Sequence, residues 1–84
     1  MRITFKLYAG LTQYLPQEAR VSNAMALDVP EDATIAQIVA PFNMPPKLVH
    51  LVLVNGVYVY PEQRAARTLV EGDVLAIWPP VAGG

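Results

Sequence analysis

The chain has 84 residues, 54 % hydrophobic and 15 % charged, with a formal net charge of −1. One hydrophobic core fits that length, and so apolar a composition describes a globular chain rather than a disordered one. No basic excess is present to attract a phosphate backbone, no apolar run nears the ~20 residues of a membrane span, and the lack of cysteine excludes disulfides and thiol nucleophiles.

Residues 2–9, RITFKLYA, alternate, with Ile3, Phe5 and Leu7 on one face and Thr4, Lys6 and Tyr8 on the other. That period predicts a half-buried strand, broken at Gly10, with a short helical turn over LTQYLP stopped near Pro16. Residues 24–29, AMALDV, predict a second strand ahead of the turn-like PED. Thr34 stands three residues before Gln37, a capping-box spacing, and Ile35, Ile38 and Val39 supply a short apolar stripe. The helix they predict ends before Pro41. Residues 49–54, VHLVLV, are strongly β-forming, and Asn55-Gly56 predicts a tight hairpin with VYVY as the return strand. A short turn over 61–68 and the EGD turn lead to a final strand, VLAIW, at 74–78.

A mixed sheet packed on one main helix, an α+β arrangement, is the two-layer solution for so small a core. Around the hairpin, Val54 pairs with Val57 and Val52 with Val59, and these valines suit the helix-covered side. Leu53 with Tyr58, and Leu51 with Tyr60, then occupy the opposite face. Leu75 and Ile77 pointing inward leave Trp78 outward, and the first strand leaves Tyr8 there too. An uncovered sheet face is ordinarily polar, yet this one collects Tyr8, Leu53, Tyr58 and Trp78. Aromatic clusters of that kind mark protein-docking surfaces.

Catalytic residues are harder to find. His50, the sole histidine, opens a strand expected to be buried and reads as structural packing. Asp28, Glu31 and Asp32 read as turn and helix-start acids, and Glu71 and Asp73 as turn residues about Gly72. Arg64 and Arg67 read as a solvated basic edge. No metal or phosphate-binding motif appears. What remains is the ending, Pro79-Pro80-Val81-Ala82-Gly83-Gly84. The proline pair favours an extended exit from the domain of residues 1–78, and residues 79–84 can reach roughly 20 Å beyond it. Gly83 and Gly84 carry no side chain, so this flexible tip can thread a narrow channel. A terminal carboxylate on Gly84 is ionised at neutral pH and can attack the phosphorus of ATP in another protein's site.

Together KLYAGLTQYLP, LVLVNGVYV and LVEGDVLAIWPPVAGG resemble the ubiquitin-like sulfur carriers of the molybdopterin-synthase small-subunit and thiamine sulfur-carrier (MoaD/ThiS) family, over nearly the whole chain. The resemblance implies a β-grasp fold and adenylation of Gly84 by an adenylyltransferase of the ubiquitin-activating type, which uses ATP. It implies conversion of that adenylate to a thiocarboxylate, with the tail entering the large catalytic subunit of molybdopterin synthase to donate sulfur to a pterin precursor. Tyr8, Tyr58 and Trp78 match the family's hydrophobic docking patch, with tyrosines and a tryptophan where smaller or less polar residues are common.

The expectation is therefore a cytoplasmic sulfur carrier for molybdenum cofactor biosynthesis, with no bound cofactor or metal, no catalytic site of its own and no nucleic-acid or membrane partner. Three alternatives remain open. They are a sulfur carrier for thiamine or a tungsten cofactor, a ubiquitin-like modifier joined through Gly84 to target lysines, and an interaction domain whose Gly-Gly is incidental.

Overall fold

Residues 1–80 are described by the structure, a computed structural model; Val81, Ala82, Gly83 and Gly84 lie outside the described residues. Strand β1 (Arg2–Leu7) buries Ile3, Phe5 and Leu7 and leaves Thr4 and Lys6 half-exposed, as its alternation demands. Strand β5 (Val74–Trp78) lies parallel beside it, with Phe5 opposite Leu75 and Leu7 opposite Ile77. Strands β2 (Ala24–Asp28) and β3 (Leu51–Val54) flank this pair antiparallel, and β4 (Val57–Tyr58) closes the order β2-β1-β5-β3-β4. The first and last strands are thus central neighbours, and everything between them returns over one face or builds an edge. This is a β-grasp fold, a mixed sheet on a single main helix.

Helix α1 spans only Ile35–Val39, far too short to be stable alone. Its free N–H groups are nevertheless satisfied. Thr34 Oγ1 accepts from the Gln37 amide at 3.2 Å, Gln37 Oε1 accepts from the Thr34 amide at 2.9 Å, and the carbonyls of Arg67 and Arg64 accept from Ile35 and Ala36. Ile35 and Ile38 face the sheet and are buried. The α geometry stops at Val39, and a 3-10 turn at Ala40–Phe42 carries the chain through Pro41 to Asn43, whose φ of 56° ends it. Phe42 then lies against Phe5, the ring centroids 4.5 Å apart.

Asn55 and Gly56 have φ of 51° and 82°, the left-handed pair that a two-residue hairpin needs. Asn55 does more than turn the chain. Its Nδ2 donates to Asp73 Oδ1 and its Oδ1 accepts from the Val74 amide, both at 2.8 Å. Asp73 Oδ2 accepts from Val70 N, so the buried carboxylate locks the hairpin tip to the turn before β5.

Several expectations change. The first strand ends at Leu7, and the break falls on Ala9 with φ 52°, not on Gly10. The strand expected from residue 49 begins at Leu51, and its partner is two residues long rather than four, although Val59 still donates to the Val52 carbonyl at 2.8 Å. Val57 pairs with Val54 as expected but is 66 % exposed, on an edge strand only two residues long. His50 is exposed instead of packed in a strand. Arg64 is no solvated edge: it donates to the carbonyls of Val59, Val49 and His50 at 3.1, 3.2 and 3.0 Å. Asp28 ends β2 in an ion pair with Arg2 at 3.1 Å, which holds its carboxyl below the ordinary range.

Candidate functional site

Directly opposed residues share a face, so the register places Lys6, Ala76 and Leu53 in one row across the uncovered side of the sheet, with Tyr58 beyond Leu53. One step along, Trp78 opposes Leu51. Tyr8 follows β1, and its amide donates to the Ile77 carbonyl at 3.1 Å, which brings its ring alongside Trp78. The two rings stack with centroids 4.0 Å apart and planes 4° from parallel.

All four expected docking residues therefore lie on this face. Tyr8, Leu53 and Trp78 are half-buried rather than fully exposed, the stacked rings of Tyr8 and Trp78 hiding one side of each other; Tyr58 is 37 % exposed. The patch has two lobes. Tyr8 and Trp78 form one, and Tyr58 the other, set edge-on to Tyr60 at 5.0 Å and under the Arg64 guanidinium at 5.9 Å. Leu51 and Leu53 on β3 bridge them. Aromatic anchors prepositioned by stacking lose little side-chain entropy on binding. Leu51 and Tyr60 are further members of the surface, and hairpin parity already places them on this side. Arg64 carries no periodic signal, because its partners are main-chain carbonyls brought to it by the fold.

The tail leaves from the same end. Trp78 O accepts from the His50 amide at 3.2 Å, the last sheet bond before Pro79 and Pro80, which have no N–H to extend the ladder. Pro79 is half-buried and Pro80 exposed. The tail residues expected to act, Val81, Ala82, Gly83 and Gly84, lie outside the described residues. Elsewhere, no cluster of three or more metal-ligating side chains occurs among the described residues, and no helix there is long and apolar enough to cross a membrane.

The fold recurs in solved structures. SAMP1 of Haloferax volcanii is 26 % identical with a TM-score of 0.67, each chain covered over 100 % of its length. A protein assigned as subunit 1 of molybdopterin converting factor in Pyrococcus furiosus is 19 % identical, TM-score 0.67, over 96 % of this chain and 99 % of its own. A chain of the complex of subunits 1 and 2 of molybdopterin-converting factor from Helicobacter pylori is 17 % identical, TM-score 0.62, with 100 % of both chains covered. At those lower identities the likeness is one of fold. No curated protein sequence matches. The sequence model of the ThiS family, in contrast, matches residues 13–84, from the first turn through the bridging hairpin and Trp78 to the Gly-Gly end. On that match the chain belongs to the ThiS family of ubiquitin-like sulfur carriers.

Proposed function

We propose that the protein carries activated sulfur on Gly84 and delivers it in molybdopterin biosynthesis. Family membership across residues 13–84 is the observation that carries this reading. In this reading the reacting group is the Gly84 carboxylate, and the activating chemistry is supplied by a partner enzyme. An activating enzyme of the ubiquitin-activating type would join the Gly84 carboxylate to the α-phosphorus of ATP, releasing pyrophosphate. A sulfur nucleophile would then displace AMP and leave a thiocarboxylate. Residues 1–78 act as the docking domain in this scheme and residues 79–84 as the tail, with Pro79 and Pro80 as spacer and Gly84 as the residue presented to the partner. The Helicobacter pylori neighbour was solved as a complex of subunits 1 and 2, which supports a large catalytic subunit as the second partner here.

A ubiquitin-like modifier is the second reading, favoured by the similarity to SAMP1 over the full length of both chains. The same adenylate serves it, with a lysine amine in place of sulfur as the attacking group. Intact mass spectrometry of protein purified from its native host separates the two. A carrier shows the mass gain of one oxygen replaced by sulfur at the C-terminus; a modifier shows conjugates larger by whole proteins. Unmodified protein alone, from cells making molybdenum cofactor, would contradict both.

A further inference from the structure

The two edges of the sheet are built differently. At β4 the exposed edge is two residues long, and Arg64 caps the carbonyls beside it. At β2 nothing of the kind occurs. The amides of Leu7 and Val29 donate to the carbonyls of Asn23 and Met1, so the odd-numbered residues of this stretch face β1. The amides of Thr4 and Tyr8 donate instead towards β5, to Asp73 and Ile77. Backbone alternation then turns the N–H and C=O of Ala24, Ala26 and Asp28 away from the sheet. Of these, the Ala24 carbonyl accepts from Ser22 Oγ at 3.2 Å. Among the described residues no strand lies beyond β2. Apart from the charged Asp28 at its end and the Ser22 hydroxyl on Ala24, the strand carries neither lysine nor proline nor bulge, and its side chains at Ala24 and Ala26 are small. Val21, just before it, is 99 % exposed.

Beside this edge, on the helix side, an apolar groove of about 570 Å³ opens between β2 and α1, walled by Leu27, Val29, Ala33, Ile38 and Phe42. Its mouth is acidic. Asp28 and Asp32 line it, and Glu31 and Glu71 stand at the same end, four carboxylates against Arg2 and the terminal ammonium.

We propose that the β2 edge binds an extended peptide segment of a protein partner, which adds as a sixth strand, sets alternate apolar side chains into the β2–α1 groove and places a basic residue at the acidic end. Antiparallel addition puts that basic residue at the N-terminal end of the segment, opposite Asp28, and a hydrogen-bonded pair at Ala26. The groove opens on the helix side of the sheet, whereas Tyr8 and Trp78 stack on the opposite face, so a segment seated in it leaves that stack uncovered. The segment is a recognition element, distinct from the partner that receives sulfur.

The test uses the full chain, ¹⁵N-labelled, titrated with the acetylated synthetic peptide KVTVTVS. Amide shifts are expected along Ala24–Asp28 and at Ala33 and Ile38, with the Ala26 amide newly protected from exchange. The peptide KVPVTVS, which lacks the donor opposite Ala26, leaves the protein untouched and is expected to bind about tenfold more weakly. EVTVTVS should lose about threefold, as one exposed ion pair allows. The protein variant Ala26→Pro should lose binding to KVTVTVS while keeping its amide spectrum elsewhere, because the outward N–H makes no bond to β1. Four results would overturn the proposal. They are no shifts at about 1 mM peptide, shifts centred on Tyr8 and Trp78, equal affinity for all three peptides, or a sedimentation-detected dimer of the free chain that Ala26→Pro dissociates, which would make a second copy the occupant.

Discussion

On the helix side of the sheet Phe5, Leu7, Leu75 and Ile77 are fully buried, whereas on the other side Tyr8, Leu53 and Trp78 are only half-buried and Tyr58 is 37 % exposed. Both sides are rich in apolar side chains, so hydrophobicity alone does not distinguish them. The difference is completion. Ile35, Ile38 and Phe42 close the first side within the chain, whereas among the described residues the aromatic side is sheltered by its own ring stacking and by Arg64 over Tyr58. A face completed internally contributes to folding; if a partner covers the open one, as proposed, the free energy of its burial goes to binding.

The strongest way to break this comparison is to truncate each side in turn. Phe5→Ala removes a fully buried ring that stacks on Phe42 and should cost about 3–5 kcal/mol of stability, read by urea denaturation. Trp78→Ala should weaken the complex with the large partner by about 2 kcal/mol or more in calorimetry, while costing only ~1 kcal/mol of folding stability for the lost stacking on Tyr8. An equal stability loss at both positions, with no separate effect on binding, would make the aromatic face a second core. Asn55→Ala leaves the buried Asp73 short of a donor and the hairpin tip strained, and should cost ~1–2 kcal/mol by the same denaturation assay. Ala9→Gly relieves a left-handed residue at the rim of the aromatic face. Against the added unfolded-state entropy the net gain should be ~0.5 kcal/mol, seen as a small rise in Tm. The smallest effect belongs to Arg2–Asp28, where the Arg2 hydrogen bond and charge depress the Asp28 pKa. A depressed carboxyl contributes stability above its unfolded pKa and loses it as pH falls through the folded one. Asp28→Asn should therefore lower stability slightly at neutral pH, leave it unchanged at pH values below the folded pKa, and so flatten the acid limb of the stability curve.

How much of this was legible in the chain depends on whether the signal is local. The inward set on β1, the capping box at Thr34 and Gln37, and the turn at Asn55-Gly56 each rest on residues a few positions apart, and each forms as its spacing requires. The outward set of Tyr8, Leu53, Tyr58 and Trp78 was legible through strand parity. What parity cannot carry is how side chains settle against one another. The Tyr8–Trp78 stack depends on a parallel pairing between residues 70 positions apart, and the Arg64 clasp depends on three carbonyls from two segments. Ala9 was missed because the adjacent glycine offers the cheaper left-handed residue, and the chain places its turn one position earlier. The open β2 edge is invisible to composition, since Ala, Met and Leu suit a central strand as well as an edge.

In the proposed function recognition and chemistry are divided, the aromatic face binding the partner and Gly84 carrying the sulfur. This division is tested most directly by incubating the wild-type chain, Trp78→Ala and a chain lacking Gly84 with the cognate activating enzyme, ATP and a sulfur donor, and following both complex formation and intact mass. The wild type should bind and gain the mass of the oxygen-to-sulfur exchange. The chain lacking Gly84 should bind as the wild type does, melt at the same temperature and gain nothing, while Trp78→Ala should bind weakly and convert slowly. Equal conversion of the wild type and the chain lacking Gly84 would contradict the account.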